Sequence, residues 1–401
     1  MSTTSASATY FYVCPTDSLF VRGNLAFGGS GDHGASLMPP PPSLFAGAFR
    51  SAVLGKDATQ LTAFLENGQC TDTALAQCLG TPALPGDFRI TWLSLAGEVA
   101  GQTLPEAITS LPADLVMLGQ HFVTLEPRAQ HVGVQSAGQL PLRATLLSAK
   151  QEKPTGGVLL RGKGLAQHLQ GQASDATHGI QSKHVFTRDP RLGIGLNPDA
   201  HTAEEGQIYT TEGFAFSPPS GAVGKANTAP FASTGFLVGI EGVANLLPDT
   251  GLLRLGGDGR SAQYRKVAFT APAVAQLPGA KGRFRLLMQT PALFSQGWLP
   301  DGVVEQDGTY RLQGDGFSAR LACAALGRRE VVSGWDLYQW APKPAQAAVP
   351  AGSVYWFDAF EGDAGKLAAW VAKGLWPDDL NAMQQARRAE GYNRALLGAW
   401  N

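Results

Sequence analysis

Residues 22–55 read RGNLAFGGSGDHGASLMPPPPSLFAGAFRSAVLG, and this stretch indicates most about the fold of the chain. A glycine-rich loop around His33 leads over four consecutive prolines into a short apolar segment. Glycines allow close approach of the backbone to another surface, and consecutive prolines hold a chain extended. We predict a helix that begins with Ser43 as N-cap and ends at Leu54, before Gly55. The chain therefore begins with a strand, a long loop and a helix.

Gly47 lies in the middle of this predicted helix, where glycine costs about 1 kcal/mol relative to alanine. This cost predicts that another group packs very close to Gly47. Arg50 follows three residues later, so we expect it on the same helix face.

The composition is that of a two-domain protein with many turns. The chain has 401 residues, of which 49 are Gly and 26 are Pro, so strands and long loops are favoured over helix bundles. No apolar run approaches the roughly 18 residues of a membrane span, and the N-terminus lacks the pattern of a secretory signal. The four cysteines lack metal-ligand spacing, which predicts buried free thiols, a cytoplasmic location and no metal or other cofactor.

Two basic islands interrupt an otherwise acidic chain whose net charge is −1. Residues 150–191 carry 7 basic and 3 acidic side chains, and residues 251–285 carry 7 and 1. Residues 192–250, between the islands, carry 1 and 6. This distribution suits a local anionic ligand such as a few phosphates, and it argues against indiscriminate coating of nucleic acid. Ordinary clustering of charge on solvated faces is the alternative.

The order of local patterns predicts a mixed α+β fold. Strands are predicted at 10–13, 88–95 (half-exposed) and 235–240, and helices at 58–65, 73–79, 367–373 and 380–390. Residues 185–187 and 207–214 are predicted to form a hairpin with its tip at 196–206. The pattern T-x-x-L-F-x-x-G occurs at 16–23 and again at 290–297, each time after an apolar strand. It suggests two copies of one fold.

Three clusters could bind an anion, and none carries an enzyme motif. His33 could act as a general base in RNA cleavage, contact a ligand, or pair structurally. Lys183, His184, Arg188 and Arg191 could grip phosphates at the base of the hairpin while Phe186 stacks on a base, or they could form a solvated loop. Arg254, Arg260, Arg265 and Lys266 flank the turn LGGDGR, where backbone N–H groups can cradle an anion. Hairpin-surface charge with an Arg260–Asp258 pair is the alternative there.

Several of these stretches resemble one family of proteins. They are HGASLMPPPPSLFAGAFRSAVL (33–54), RDPRLGIGL…TAEEG (188–206), LGGDGR (255–260), TPALFSQGW (290–298) and GWDLYQWAPKP…SVYWF (334–357). In this order they are similar to the RAMP-superfamily subunit of type III-B (Cmr) CRISPR effector complexes that holds the crRNA 5′ handle. That subunit is the third of the Cmr complex and is related to the type I handle-binding subunit.

The resemblance implies two ferredoxin-like (RRM-type) modules, at 1–275 and 276–401, with a thumb-like β-hairpin inserted into the first at about 150–215. It implies a non-catalytic crRNA-binding protein whose partners are the 5′ handle, the large polymerase-cyclase subunit, the backbone RAMP subunits and target RNA near the handle, with no membrane partner. The candidate RNA-binding residues are Arg22, Asn24, His33, Ser43, Gly47, Arg50, Lys183, His184, Phe186, Arg188, Arg191, Arg254, Arg260 and Arg265. The alternatives are a metal-independent endoribonuclease that processes crRNA repeats, the equivalent type III-A (Csm) subunit, and a scaffold protein that binds no RNA.

Overall fold

The structure is a computed structural model, and it describes residues 8–21, 33–34, 36–129, 139–149, 151–197, 199–216, 230–257, 259–272, 282–336 and 338–401. The mixed α+β prediction is confirmed, with strands predominating. None of the helices in these ranges is both long and apolar enough to cross a membrane.

Six α-helices occur in the described residues: α1 Pro42–Leu54, α2 Ala58–Asn67, α3 Thr73–Leu79, α4 Gly162–Leu169, α5 Ala364–Lys373 and α6 Ala382–Glu390. Two short 3₁₀ turns lie at Ala176–His178 and Ser182–His184. All of the helices predicted from sequence patterns are present, with ends that differ by a few residues.

The strands of the first half are β1 Thr9–Pro15, β2 His33–Gly34, β3 Arg89–Glu98, β4 Glu106–Ser110, β5 Leu115–Leu118, β6 His121–Thr124, β7 Glu126–Ala129, β8 Leu142–Thr145, β9 Val158–Arg161, β10 Gly179–Gln181, β11 Thr187–Leu196 and β12 Ala203–Ala215. Those of the second half are β13 Ser233–Glu241, β14 Thr250–Arg254, β15 Ser261–Val267, β16 Phe284–Met288, β17 Val303–Gln306, β18 Thr309–Gly314, β19 Phe317–Ala325, β20 Glu330–Val332, β21 Trp335–Asp336, β22 Ala341–Pro342, β23 Gln346–Ala348, β24 Val354–Gly362 and β25 Ala395–Ala399.

Two antiparallel sheets organise the molecule. The first has the order β10-β9-β4-β3-β13-β1-β15-β14, and the second has the order β17-β18-β19-β24-β16-β25. Every strand of the first sheet precedes every strand of the second in the chain. Helix α1 covers one face of the first sheet, where the ring centroids of Phe45 and Phe236 are 4.8 Å apart.

The opposite face of the first sheet packs against the second sheet. Tyr12, Trp92 and Leu237 from the first sheet belong to the same buried cluster as Val354 and Trp356 from the second. Strand β3 is consequently buried on both faces over most of its length. The prediction of a half-exposed strand at 88–95 was therefore wrong, because the alternation of residue types did not reveal a second sheet above it.

Helix α1 begins two residues earlier than predicted. Its N-cap is Pro41, whose side chain makes no capping hydrogen bond, and Pro42 occupies the first helical position. Proline suits this position because its φ is preset and the N–H that it lacks would have no partner within the helix. Ser43 is therefore not the N-cap. A Cβ built on Gly47 would meet nothing within 4 Å, so the close neighbour expected there is not found among the described residues.

The predicted hairpin is confirmed, with longer arms than expected. Strands β11 and β12 pair antiparallel from the Thr187–Ala215 pair to the Leu196–Ala203 pair. Strand β2, in the glycine-rich loop, adds to the hairpin in parallel, with His33 opposite Thr210. The hairpin and β2 therefore form one three-stranded sheet.

The repeated T-x-x-L-F-x-x-G pattern occupies equivalent places in the two sheets. Thr16 follows β1, and its hydroxyl donates to the carbonyl of Ser261 at the start of β15 (2.8 Å). Thr290 follows β16, and its N–H donates to the carbonyl of Arg394, just before β25 (3.3 Å). In each sheet the threonine thus connects the end of the sheet's first strand in the chain to the start of its last strand. These two strands pair directly, β1 with β15 and β16 with β25.

A buried ion network joins the two sheets. The guanidinium of Arg285, on β16, donates to the carboxylate of Asp114 and to the carbonyl of His168, on α4. The Nε2 atom of His168 lies 2.9 Å from the other carboxylate oxygen of Asp114. All three side chains are buried, so each ionised group depends on the others for the interactions that it has lost with water.

We predict that Arg285→Ala lowers the free energy of unfolding by about 3–5 kcal/mol, because it leaves the Asp114 carboxylate buried without its cation. Urea denaturation measures this change. Arg128→Ala is the matched control, since it removes an arginine whose ion pair with Glu126 is about half exposed, and it should cost less than about 1 kcal/mol. Equal effects of the two variants would contradict this role of Arg285.

The same network predicts a pH dependence of stability. Burial by itself raises the pKa of Asp114, but the neighbouring His168 and Arg285 outweigh burial and hold it below its ordinary value. A depressed pKa in the folded state stabilises the fold above the ordinary pKa, and this stabilisation is lost as the pH falls through the folded value. We expect the stability difference between wild type and Asp114→Asn to be largest above about pH 5 and to narrow below about pH 4. Denaturation curves between pH 2.5 and pH 7 (about 0.5 unit apart) test this expectation, and a difference that grows towards acid pH would contradict it.

Candidate nucleic-acid interface

The exit of β1 lies between the base of the hairpin and the turn at 256–260. Leu19 exchanges two backbone hydrogen bonds with Phe214 of β12, at 2.8 and 2.9 Å. The carbonyl of Phe20 accepts a hydrogen bond of 2.9 Å from the N–H of Gly257. These backbone hydrogen bonds therefore hold the hairpin, the end of β1 and the turn at 256–260 together. We call the side chains that meet here the stem site: Asp17, Ser18, Phe20, Asp189, Arg191 and Arg260.

Arg191, on β11, crosses from the hairpin to the exit of β1. Its Nη2 atom lies 3.1 Å from the Asp17 carboxylate and 2.8 Å from that of Asp189. The guanidinium carbon is 5.7 Å from the centre of the Phe20 ring. This distance is within the range of a cation–π contact.

Arg260, in the turn at 256–260, contacts the same Phe20 ring. Its guanidinium carbon lies 5.2 Å from the centre of the Phe20 ring, and it forms an ion pair with Asp17. The predicted pairing with Asp258 cannot be compared, because Asp258 lies outside the described residues. Arg191 and Arg260 come from the two basic islands, so the fold unites these islands around Phe20.

The stem site is electrically balanced in the free chain. Asp17 contacts both arginines, while Asp189 contacts Arg191 and accepts a hydrogen bond from Ser18. The Ser18 hydroxyl, and then Arg191, hold the pKa of Asp189 below its ordinary value against a small opposing effect of burial. An incoming phosphate would therefore replace the carboxylates as partner of guanidinium groups that are already oriented.

Three further residues of the predicted set lie at the base of the hairpin. Lys183 and His184 are exposed in the 3₁₀ turn that precedes β11. Arg188 is exposed on β11 and forms an ion pair of 2.7 Å with Glu212 on the facing strand. Phe186, in contrast, packs edge-on against Phe214, with ring centroids 5.3 Å apart. Its ring is thus part of the hairpin's own aromatic packing.

The remaining predicted residues are dispersed. Arg254 is exposed on β14, at the same turn as Arg260. Arg265 pairs with Glu98 and lies over Tyr12, on the face of the first sheet that meets the second sheet. The hydroxyl of Ser43 is 3.2 Å from that of Tyr392. Arg50 donates to the carbonyl of Leu79 at the end of α3, at 2.9 Å, so its guanidinium is engaged within the protein.

The glycine-rich loop is described only in part. Arg22 and Asn24 lie outside the described residues, as does the side chain of His33. The backbone of His33 belongs to β2 and pairs with β12. The loop therefore leaves from Val21 beside the stem site and returns along the hairpin.

One face of the hairpin is apolar and exposed. Leu192, Ile194 and Leu196 alternate along β11 with exposed fractions of 73%, 51% and 61%. Ile208 lies directly opposite Ile194 and is also exposed. Arg191 belongs to the other face, which contacts the stem site. Arg188, at the base of β11, lies on the same exposed face as Leu192, Ile194 and Leu196, so this face is charged at its base and apolar towards its tip.

Asp17, Ser18 and Phe20 were not predicted as site residues. The only signal for them was the repeated T-x-x-L-F pattern directly after β1, which was interpreted as a fold repeat. Their role depends on Arg191 and Arg260 lying close together, and no local pattern predicts this.

The turn at 256–260 depends on Gly256. Its φ is +84°, and a Cβ there would lie 2.6 Å from the carbonyl oxygen of Phe20.

We predict that Gly256→Ala lowers the free energy of unfolding by about 2–3 kcal/mol, since the left-handed conformation alone costs about 1–2 kcal/mol for alanine. Gly257→Ala is the matched control, because its Cβ would meet nothing closer than 3.8 Å. Chemical denaturation compares the two, and equal stability would show that the turn is not held against Phe20.

The chain was compared with known proteins. The model of the family described as CRISPR-associated protein (Cas_Cmr3) matches residues 11–400. No curated protein matches the chain significantly. A chain of the cryo-EM structure of the Type III-B Cmr-beta bound to cognate target RNA is similar over 96% of both chains, with a TM-score of 0.50 and 14% identity. A chain of the same assembly bound to cognate target RNA and AMPPnP, in state 1, covers 96% of this chain and 98% of its own length, with a TM-score of 0.46 and 13% identity.

The family match extends over nearly the whole chain, and the structural similarity at a TM-score of 0.50 indicates a shared fold. The family resemblance inferred from the sequence motifs is thereby confirmed. The chain belongs to the Cas_Cmr3 family of CRISPR-associated proteins.

Proposed function

We propose that this protein is the non-catalytic subunit of a type III-B Cmr complex that binds the crRNA 5′ handle, and that the stem site is the centre of the RNA surface. The observation that carries the proposal is the meeting of Arg191 and Arg260 around Phe20. The Phe20 ring is buried, so it serves to orient the two guanidinium groups, which can hold phosphates. Lys183, His184 and Arg254 are exposed near the stem site and would extend this surface, and Arg188 would hold phosphates on the opposite face of β11.

We further propose that the chain consists of two ferredoxin-like modules, 1–275 and 276–401, with the hairpin as an insertion at about 150–215. Two observations support this division. Strands β15-β1-β13-β3 and strands β25-β16-β24-β19 both have the order fourth, first, third, second along the chain, which is the order of a ferredoxin-like sheet. The backbone hydrogen bonds from Thr16 to Ser261 and from Thr290 to Arg394 also fit a duplicated fold.

The hairpin would separate the handle from the guide by displacing a nucleotide. Its exposed face of Leu192, Ile194, Leu196 and Ile208 supports this part of the proposal. Apolar side chains on a protruding element can insert between neighbouring bases. The charged base of the hairpin would meanwhile hold the phosphates on either side.

The large polymerase-cyclase subunit and the adjacent backbone subunits are the proposed protein partners, in the cytoplasm, with target RNA near the handle. The similar chain is part of an assembly bound to cognate target RNA, which is consistent with this setting.

Incubation of the purified protein with repeat RNA tests its non-catalytic character. Metal-independent cutting that disappears in His33→Ala would favour the endoribonuclease alternative.

Charge reversal tests the position of the RNA. We predict that Arg188→Glu/Arg191→Glu and Arg254→Glu/Arg260→Glu each weaken the binding of handle RNA at least about tenfold at low salt. The slope of log K against log salt should become shallower by about 0.7 for each phosphate that the variant no longer neutralises, the value for single strands. Fluorescence anisotropy over a salt series measures both quantities.

Arg128→Glu/Arg320→Glu is the control, since it reverses two arginines that are ion-paired and partly exposed outside the stem site. This variant should keep the affinity within about threefold and the slope within about 0.7 of wild type. Unchanged affinity in both stem-site variants, with the fold intact by circular dichroism, would show that the RNA lies on another face.

A further inference from the structure

Three half-buried arginines meet where α6 ends beside the first sheet. Arg89 begins β3, Arg388 lies in the last turn of α6, and Arg394 directly precedes β25. Burial lowers the pKa of Arg388, and the neighbouring charge of Arg89 lowers it further. Burial also lowers the pKa of Arg394, against an opposing effect of Glu241, and Arg388 lowers it further. The three guanidinium groups therefore lie close enough to repel one another, and we call them the arginine cluster.

The backbone holds the arginine cluster in position. The φ of Gly391, directly after α6, is +94°, and a Cβ built there would lie 2.8 Å from the Cβ of Ile90. The end of α6 thus packs closely on β3, next to Arg89. Asn393 is fully buried, and its side-chain amide makes hydrogen bonds of 2.6 and 2.9 Å to backbone groups outside the turn that leads to Arg394. Groups that are fixed before a ligand arrives lose less entropy on binding.

Within the described part of the chain, one carboxylate offsets the three arginines. Glu241 lies opposite Arg89 in the pairing of β13 with β3, and it raises the pKa of both other arginines. The neighbouring carboxylates in the sequence are engaged elsewhere. Asp87 accepts a hydrogen bond of 2.8 Å from a glutamine of α3, and Glu390 pairs with Lys343 at 2.6 Å. Three guanidinium groups and one carboxylate give the cluster with Glu241 a net charge of +2.

The side-chain donors of the arginine cluster have no acceptor among the described residues. None of the three side chains forms a hydrogen bond or an ion pair with a described residue, and the Nε atom of Arg388 is buried as well as unpartnered. Other buried arginines, such as Arg285 and Arg387, each donate to several acceptors. Burial raises the pKa of Tyr10, beside Arg394, so its hydroxyl is a further donor. Buried donors without a partner are costly, and their convergence points to an acceptor that a ligand supplies.

We propose that the arginine cluster binds a phosphate monoester, as carried by a mononucleotide or by the phosphorylated end of an RNA strand. A monoester carries about two negative charges at pH 7, which match the net charge of the cluster with Glu241. A phosphodiester of an RNA backbone carries about one. Guanidinium groups suit this ligand because each can donate two parallel hydrogen bonds to phosphate oxygens.

This site is separate from the stem site. Tyr10 lies at the start of β1, whereas the stem site follows the end of the same strand. The two sites share no residue. The inference therefore does not rest on the proposed function.

Isothermal titration calorimetry of the full-length protein tests the site with adenosine 5′-monophosphate, with inorganic phosphate, and with a short RNA that carries either a 5′-phosphate or a 5′-hydroxyl. We expect wild type to bind adenosine 5′-monophosphate and inorganic phosphate, and Arg388→Gln/Arg394→Gln to weaken both at least about tenfold, because hydrogen bonds to a charged group are lost. Tighter binding of the 5′-phosphorylated RNA than of its 5′-hydroxyl form would identify the end of a strand as the source of the phosphate. Equal binding of the two RNAs, with the nucleotide bound, would identify a mononucleotide.

Arg328→Gln/Arg329→Gln is the matched control. It removes the same charge from two exposed arginines after β19. Because exposed charges that are distant from a ligand are screened, this variant should keep the affinity for adenosine 5′-monophosphate within about twofold of wild type.

Glu241→Gln keeps the test valid if the double arginine variant fails to fold. It removes the opposing carboxylate and keeps all three arginines, so it should bind adenosine 5′-monophosphate at least about threefold more tightly than wild type. The absence of binding of both monoester probes to wild type would overturn the inference, and so would equal losses in the two double arginine variants. Loss of RNA binding in Arg388→Gln/Arg394→Gln together with unchanged binding of the monoester probes would also overturn it, because the cluster would then hold backbone phosphodiesters.

Discussion

The candidate site depends on the backbone hydrogen bonds of Leu19 and Phe20. They attach the end of β1 to β12 on one side and to the turn at 256–260 on the other. Since β1 is an interior strand of the first sheet, both attached elements are anchored to the core of that sheet. Arg191 and Arg260 come close together only because of this arrangement. The site is thus created where an insertion and a turn meet a core strand.

The charges of the stem site are paired within the protein. Asp17 and Asp189 neutralise the two arginines that the proposal assigns to RNA. Such pairing orients the guanidinium groups in the free protein and reduces non-specific attraction of nucleic acid. It also means that specific binding exchanges one set of ion pairs for another. Net affinity then depends on how many phosphates the exposed Lys183, Arg188 and Arg254 can add.

The joint between the two sheets is of a different kind. It contains an apolar cluster and the buried network of Arg285, Asp114 and His168. A buried ion pair is a poor source of stability by comparison with apolar packing, but breaking it is costly. The network therefore favours one arrangement of the two sheets. A fixed arrangement also keeps the ring of Tyr338 against that of Phe64 on α2.

The sequence by itself determined the elements, the hairpin, the basic islands and the family. These features follow from local periodicity, from turn residues and from motifs in a fixed order, each readable within a few tens of residues. It placed the N-cap of α1 at Ser43, whereas prolines at the start of this helix take the place of a capping side chain. It also predicted that β3 is half-exposed, whereas a second sheet covers its outer face. Only the tertiary structure decided which arginines share a site. Arg50 and Arg265 have the same residue type as Arg191 and Arg260 but engage Leu79 and Glu98 instead. The partner of a charged side chain depends on contacts between residues distant in the chain, and no local pattern specifies them.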